Sequence, residues 1–434
     1  MFNAVVVSVF VVVVLSLLRV NVIFALIAAS ITAGLFAGLP LTETISTMIN
    51  GMSGQMETAL SYVLLGMFAV TIARSNITSI LVKKLVRILQ GKRGVLLVTI
   101  AFVASLSQNA VPVHIAFIPI LIPPLLALFN QMKIDRRAVA SALTFGLQAP
   151  YIMIPAGFGL IYHRIVVNEM EKNGMSMDLS MFPKAMLIPG IGMIVGLFIA
   201  LFITYRKPRN YEDKESIFVS STDEEEGTTF TRKHALTLVS IAGALGVQLW
   251  TESLVLGTLT GIVLMFLFRI VRFPEGDDVV QRGVAMMGFI AFVMLLASGY
   301  ASVLQETGAV KELVAASGEV LQGSRLIAAA LMLLIGLLIT MGIGSSFGTV
   351  PIIAAIYVPL CAELGFSLLA TAALVGTAGA LGDAGSPASD STLGPTSGLN
   401  ADGQHHHIWD TCVPTFLHYN IPLFIFGLIA AMVL

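Results

Sequence analysis

The chain has 434 residues, of which 56% are hydrophobic and only 11% are charged. Because soluble domains carry about 25% charged residues, this composition excludes a soluble globular protein and indicates an integral membrane protein. A net charge of -1 gives no reason to expect a nucleic-acid partner, and two cysteines beside apolar runs do not support a disulfide framework.

Ten apolar runs are predicted to cross the lipid bilayer, since a membrane helix needs about 20 mostly apolar residues. The first run lacks the basic flank and the small-residue cleavage site of a signal peptide, so we interpret it as a membrane helix. The predicted spans are 3–18, 22–39, 59–75, 137–161, 183–204, 234–250, 254–271, 284–304, 368–397 and 414–434.

Two further apolar regions are interrupted near the middle by small polar residues. Region 94–130 contains the sequence ASLSQNAVP, and region 324–362 contains GIGSSFGTVP. Neither arm of these regions is long enough to span comfortably, and an interruption facing lipid would leave backbone groups without hydrogen bonds. We therefore predict two re-entrant hairpins, in an all-α integral membrane fold with about ten transmembrane helices.

The positions of Lys and Arg predict the orientation of the chain. Cytoplasmic stretches carry an excess of these residues. Only five of the 24 Lys and Arg residues lie on the opposite side if the cytoplasmic stretches are 19–21, 75–93, 131–137, 205–233, 270–283 and 398–413, with Arg74 and Arg269 at their edges. Those five are Arg164, Lys172, Lys184, Lys311 and Arg325. We expect a multi-pass protein of the plasma (inner) membrane with both termini outside.

The order of elements repeats at an offset of roughly 238 residues, which aligns Ser107 with Ser345. Five crossings per half is an odd number, so the second copy must be inverted, a pattern typical of secondary transporters. The predicted units are 1–204 as the first inverted repeat, with hairpin 94–130 and broken helix 137–161, then 205–233 as a cytoplasmic linker, and 234–434 as the second repeat, with hairpin 324–362 and broken helix 368–397.

The broken segments are the predicted binding site, because transporters place ligands where unwound membrane helices converge. Segment 381–398, LGDAGSPASDSTLGPTSG, puts Asp383 and Asp390 in an apolar region, where ionisable groups are functional by default. Asp390 is the preferred cation ligand because Ser389, Ser391 and Thr392 flank it. The alternative role for an aspartate here is to cap a half-helix.

The other predicted ion or substrate ligands are polar side chains of the four interrupted segments. They are Ser107, Gln108, Asn109, Gln148, Tyr151, Ser345, Ser346, Thr349, Ser386, Ser389 and Thr392.

Histidines offer two further hypotheses. His114 and His418 lie in apolar segments and could carry a proton, although a hydrogen-bonded packing role is the alternative. The run His405 to His407, with Cys412, could hold a metal, but consecutive histidines on a helix point in different directions. We therefore predict an interfacial loop and no metal site.

Residues 382–392, GDAGSPASDST, resemble the Gly-Asp-x-x-Ser-Pro-x-Ser-Asp-Thr-Thr signature of the sodium/proton antiporter family in the ion transporter superfamily. GSSFGT at 344–349 resembles the family's Gly-Thr-Ser-Trp-Gly-Thr hairpin; the departures are at Ser345, Phe347 and Ser391. Residues 404–424 resemble the tail of a branch that includes proteins thought to carry amino acids such as histidine. The resemblance implies a homodimer of the elevator type, in which a scaffold carries a moving domain with both hairpins and both broken helices.

These features predict a secondary active transporter driven by a sodium or proton gradient, with Na+ or H+ as coupling ion and no tightly bound cofactor. The alternative is a Na+- or H+-coupled permease for a small amino acid such as histidine. An ion channel is less well supported, because paired hairpins in an inverted repeat do not form a continuous pore. An enzyme is not predicted, since the two aspartates lack a metal motif or a nucleophile with its base, and the chain has no phosphate-binding Gly-Lys-Ser/Thr loop.

The predicted topology can be tested with single cysteines placed in a background that lacks Cys361 and Cys412. Asn210→Cys and Asp278→Cys should react with a membrane-impermeant maleimide only from the cytoplasm, and Ala315→Cys only from outside. Labelling of the variants at 210 and 315 from the same side would contradict the inverted arrangement of the two halves.

Overall fold

The structure, a computed structural model, is all-helical in the part of the chain that it describes, which comprises residues 3–18, 20–75, 77, 92–109, 118–156, 158–212, 230–251, 253–309, 312 and 324–434. In the first half, the helices are α1 (Ala4–Leu17), α2 (Val22–Phe36), α3 (Leu41–Gly51), α4 (Met56–Ala73), α5 (Arg93–Asn109), α6 (Ile118–Gln131), α7 (Arg136–Met153), α8 (Phe158–Lys172), α9 (Phe182–Ala185) and α10 (Leu187–Phe198).

In the second half, the helices are α11 (Arg232–Thr251), α12 (Leu254–Leu267), α13 (Gly276–Glu306), α14 (Arg325–Ile343), α15 (Ser346–Glu363), α16 (Leu368–Ala380), α17 (Asp390–Leu399), α18 (Val413–Thr415) and α19 (Ile421–Val433). Short 3-10 turns lie at Met52–Gln55, Leu179–Met181 and Phe273–Glu275. Wider π-helical turns lie at Ile199–Thr204, His407–Cys412 and Phe416–Asn420.

Four helical stretches are each long and apolar enough to cross a membrane: Leu187–Thr204, Phe273–Glu306, Arg325–Ile343 and His407–Val433. Two bent pairs would raise this number to six, namely Leu41–Gln55 with Ala59–Ala73, and Arg136–Met153 with Phe158–Lys172. Other apolar helices are shorter, so the described residues support four to six spans by length, and the ten crossings stay a prediction.

The interruptions predicted in the second half lie close to where the helices end. Between α14 and α15 the chain turns at Gly344, which adopts the left-handed conformation (φ 72°), and Ser345 caps α15. Between α16 and α17 the chain leaves helical geometry from residue 381 to 389. Gly and Pro explain this break, since neither favours a continuous helix.

In the first half, α5 and α6 have the bounds of two hairpin arms, but residues 110–117 between them, including His114, lie outside the described residues. In the predicted broken helix 137–161, helical geometry is interrupted only after Met153. Helix α7 continues through Pro150 to Met153, and the axis bends by 47° before α8. A proline disturbs mainly the turn before it, which allows the helix to run on.

The helices pack as two groups. In one group, α13 packs against α2, α3 and α4, α12 joins α4, and α11 pairs with α12. In the other, α5, α8 and α17 pack on α7, α16 contacts α14, α15 and α19, and α10 lies on α19. Helix α1 contacts α2 and α14, and α13 contacts α14 and α17, so these two helices link the groups.

Small residues let α4 and α13 approach closely. A Cβ atom on Gly66 would lie 2.4 Å from the carbonyl oxygen of Gly283, and one on Gly283 would lie 2.6 Å from the backbone nitrogen of Met67. Real Cβ atoms do not make contacts this short, so both positions require glycine. Helix pairs in membranes commonly associate through such small residues.

A buried ion pair joins the start of α7 to the segment after α17. The Arg136 guanidinium, with 0% exposure, donates to both Asp402 oxygens at 2.6 Å, to the Leu399 carbonyl and to Asn130. Tyr211 stacks on it, with the ring centroid 4.3 Å from Cζ. Burial alone would raise the pKa of Asp402, but the hydrogen bonds and charge of Arg136 lower it below the ordinary value. The two broken helices are thereby fixed to each other at one end.

Removing the positive partner should be strongly destabilising. Arg136→Met leaves a buried carboxylate without its ion partner, a change that typically costs about 3–5 kcal/mol. Lys172→Met is the matched control, because the pair between Lys172 and Glu169 is on the surface and such pairs contribute about 0–1 kcal/mol. Melting of the detergent-solubilised protein measures both; equal shifts in Tm would contradict a structural role for Arg136.

Candidate functional site

The turn that carries Asp383 is formed by two glycines in left-handed conformations, Gly382 (φ 90°) and Gly385 (φ 92°). A Cβ atom on Gly382 would lie 2.6 Å from the Leu337 carbonyl oxygen, and one on Gly385 would lie 2.5 Å from Cβ of Phe416. Both conformation and space therefore require glycine. The turn reverses the chain after α16 and brings Asp383 beneath the first residues of α17.

Three hydroxyl groups surround the Asp383 carboxylate, which is 6% exposed. Ser389 donates to Oδ1, while Tyr151 and Ser391 donate to Oδ2 at 2.9 and 3.0 Å. Since the Tyr151 hydroxyl has one proton and gives it to Asp383, Ser346 must donate to Tyr151, 2.7 Å away. Among the described residues, no Lys or Arg forms an ion pair with Asp383. A buried carboxylate of this kind calls for a proton or a bound cation.

Asp390 begins α17 and is half-buried. Its Oδ1 accepts a hydrogen bond of 2.5 Å from the hydroxyl of Tyr62, a buried residue of α4. The hydroxyls of Ser389 and Ser391, expected around Asp390, donate to Asp383 instead, and Thr392 donates to backbone carbonyls. The argument that favoured Asp390 therefore applies to Asp383.

A small cavity of about 60 Å³ joins the two aspartates. A cavity needs about 10–15 Å³ of such volume to hold one water molecule, so this cavity has room for a cation together with a few waters. Both packing groups contribute to its wall. Gln55 and Met294 come from the first group, and the second supplies Gln108, Leu147, Tyr151, Gly344, Ser345, Ser346, Phe347, Asp383, Asp390 and Ser391.

Side chains of the protein satisfy the backbone carbonyls around the break. The pairs are Thr340 to Gly379, Gln148 to Ala380, Asn420 to Ala384, Thr392 to Ser386, His407 to Pro387 and Thr144 to Ser391. The donors come from α7, α14, α17 and the C-terminal segment. The carboxylates supply the negative charge that these carbonyls lack, so they are the strongest candidate cation ligands at the break.

The structure brings together six of the predicted ligands around the cavity: Gln108, Tyr151, Ser345, Ser346, Asp383 and Asp390. Ser389 donates to Asp383 but does not line the cavity. The hydroxyls of Ser107, Thr349, Ser386 and Thr392 instead donate to backbone carbonyls, and Gln148 donates to Ala380. Asn109 is the last residue of α5.

The histidines have packing partners. His418 is hydrogen-bonded through Nδ1 to the Pro414 carbonyl at 2.7 Å and through Nε2 to Thr204 at 2.9 Å. His406 caps a π-helical turn, and His407 donates through Nε2 to the Pro387 carbonyl. Within the described residues, no group of three or more His, Cys, Asp or Glu side chains could hold a metal ion.

Sequence reasoning missed Tyr62 and Asn420. Tyr62 lies in an apolar run and is 1% exposed, and Asn420 lies before a proline and is 2% exposed. An isolated polar side chain in an apolar segment is itself a signal, because it needs an internal partner. That signal does not identify the partner, which here is more than 30 residues distant in the chain for both residues.

The sequence matches two family models. Residues 142–428 match the model described as the Na+/H+ antiporter family, and residues 3–89 match a second, described as the Na+-H+ antiporter family. Together these segments cover most of both halves of the chain, including most of α7 and all of α16 and α17.

Relatives are similar along the whole length. A membrane protein of Vibrio parahaemolyticus, uncharacterized by its name, is 51% identical over 444 residues, and the match covers 100% of both chains. The Bacillus subtilis protein YuiF, provisionally named an amino acid transporter, is 48% identical over 448 residues with 100% of both chains covered. Among solved structures, the YdaH transporter of Alcanivorax borkumensis is 16% identical, with a TM-score of 0.42 over 90% of this chain and 88% of that one.

Proposed function

The chain belongs to the Na+/H+ antiporter family and is a membrane transporter, and from that premise we propose that a gradient of Na+ or H+ drives it as a secondary active transporter. The observation that carries the proposal is the buried Asp383 carboxylate, which accepts hydrogen bonds from three hydroxyl groups and lies at a cavity with room for a cation.

Asp383 is proposed as the principal cation ligand. A hydroxyl group can donate to the carboxylate and still offer lone pairs to a metal ion, so Ser391 and Tyr151, which line the cavity, can complete a sodium shell without losing their hydrogen bonds. Ser389 would hold the carboxylate from outside the cavity wall. A proton on the carboxylate removes the charge that attracts Na+. Proton and sodium would therefore compete for one site, which is the requirement for exchange.

Asp390 is proposed to link occupancy of the cavity to movement. Its hydrogen bond from Tyr62 crosses from the first packing group to the second. A cation shared by Asp383 and Asp390 would compete with that hydrogen bond. The boundary between the two packing groups suits an elevator mechanism. In such a mechanism the second group, with the hairpins and broken helices, would move against the first. The inverted repeat, the homodimer and the outside termini belong to the same proposal.

Neutral aspartate variants test the cation site. Asp383→Asn keeps size but removes the charge, so we expect the half-saturating Na+ concentration to rise at least about tenfold, a loss of about 1.4 kcal/mol in binding. Lowering the pH should raise this concentration in the wild type and leave it unchanged in the variant. Asp390→Asn should have a smaller effect, because Asp390 is only half-buried.

The measurement is Na+-dependent proton flux in proteoliposomes over a series of pH values. Asp178→Asn is the matched control, since Asp178 lies outside the membrane helices and its carboxylate accepts hydrogen bonds from the nearby Ser180. Wild-type sodium affinity and pH response in both site variants would exclude both aspartates as the coupling site.

Amino-acid transport is the second candidate function, supported by the provisional name of YuiF and by a larger cavity. This cavity has a volume of about 730 Å³, within the range of roughly 300–1,000 Å³ for small-molecule sites. It lies between the start of α2, the middle of α13 and the end of α17. Polar side chains in its wall include Asn21, Ser397, Asn400, Gln404, His405 and His406.

Uptake of labelled solutes separates the two functions. Proteoliposomes with an imposed Na+ or H+ gradient would be tested with labelled Na+ and with a panel of labelled amino acids. Exchange of Na+ for H+ without any amino acid indicates an antiporter. Gradient-dependent accumulation of one amino acid, absent in Asp383→Asn, indicates a permease, and no uptake of any probe would contradict both.

A further inference from the structure

We propose that Asn420 is a positioning residue that sets the cation affinity of Asp383, an inference that rests on the proposed function. Asn420 lies where a π-helical turn passes into α19, and it is 2% exposed. Its Oδ1 accepts from the Gly382 N–H at 2.9 Å, and its Nδ2 donates to the Ala384 carbonyl. One side-chain amide thus holds the peptide groups on both sides of Asp383.

The turn needs this support because its own hydrogen bonds are long. The Asp383 N–H lies 3.4 Å from the Ala380 carbonyl oxygen, and the Ser386 N–H lies 3.4 Å from the Asp383 carbonyl oxygen. Good N–H···O bonds measure about 2.7–3.2 Å. Two glycines in the turn add backbone freedom. Asn420 supplies the close contacts that the turn lacks.

Only a side chain with both a donor and an acceptor serves at this position. Gly382 presents an N–H group and Ala384 a carbonyl, so the orientation of the Asn420 amide follows from its partners. Leucine has nearly the same shape but would leave both peptide groups buried and unpaired, which is unfavourable for groups that have lost their contact with water. The turn would then be free to relax.

Asn420 acts through the turn and not by contact with the cation, since it is absent from the wall of the small cavity. Relaxation of the turn would move the Asp383 carboxylate away from Ser389, Ser391 and Tyr151. A shell of fixed oxygen atoms binds a cation more tightly than one that must be ordered first. Loss of the amide should therefore weaken sodium binding more than it slows movement.

The test compares Asn420→Leu with Thr415→Val in proteoliposomes. Thr415 is equally buried on the same segment, but its hydroxyl donates to Thr411 and Cys412 within that segment. We expect Asn420→Leu to raise the half-saturating Na+ concentration about tenfold, with a smaller change in the maximal rate. Thr415→Val should leave this concentration within about twofold of the wild type, even if both variants melt at lower temperature.

Asn420→Ser is the second variant, because a small polar residue is less disruptive should Asn420→Leu not reach the membrane; the same sodium shift is expected. If protons alone drive transport, the midpoint pH of flux is measured in place of the half-saturating sodium concentration.

Asp383→Asn in the same assay separates the two proposals. A lost response in Asp383→Asn with a wild-type response in the Asn420 variants overturns the positioning role alone, whereas a wild-type response in Asp383→Asn overturns the proposed cation site.

Discussion

Peptide groups released by the break between α16 and α17 must find hydrogen bonds inside the protein, and the site depends on how they find them. Lipid offers no partner, and a buried polar group left unpaired costs about 1–3 kcal/mol. The partners are side chains from distant segments, such as Gln148 of α7 and Asn420 before α19. The break therefore ties together helices that meet only in the folded molecule.

These side-chain partners determine which atoms of the site can still bind a ligand. A backbone carbonyl keeps a lone pair after it accepts one hydrogen bond but carries no net charge, whereas the Asp383 carboxylate brings negative charge next to three hydroxyl groups. An ionisable group of this kind responds to both sodium and protons, whereas a cage of carbonyls would not bind a proton. The proposed exchange would therefore depend on the Asp383 carboxylate and its hydroxyl neighbours.

The small cavity lies at the boundary between the two packing groups. Its wall includes Gln55 and Met294 from one packing group, and most of the remainder comes from the other. Tyr62 forms a direct hydrogen bond across the same boundary. Meanwhile Arg136 and Asp402 fix the two broken helices to each other at one end. The second group is thus internally braced, and the hydrogen bond from Tyr62 to Asp390 connects the carboxylates to the first group.

Composition and local pattern were enough to predict a helical membrane protein, the breaks in GIGSSFGTVP and at 381–398, and the presence of two aspartates at the second break, because hydropathy, glycine and proline act over a few residues. Local pattern could not decide which aspartate receives the hydroxyls, since Ser389 and Ser391 lie nearer to Asp390 in the chain but reach Asp383 once left-handed glycines reverse the backbone. Tyr62 and Asn420 were missed for a related reason. Their partners are set by helix packing over long separations in sequence, and no periodicity in a single chain records which buried side chains will meet.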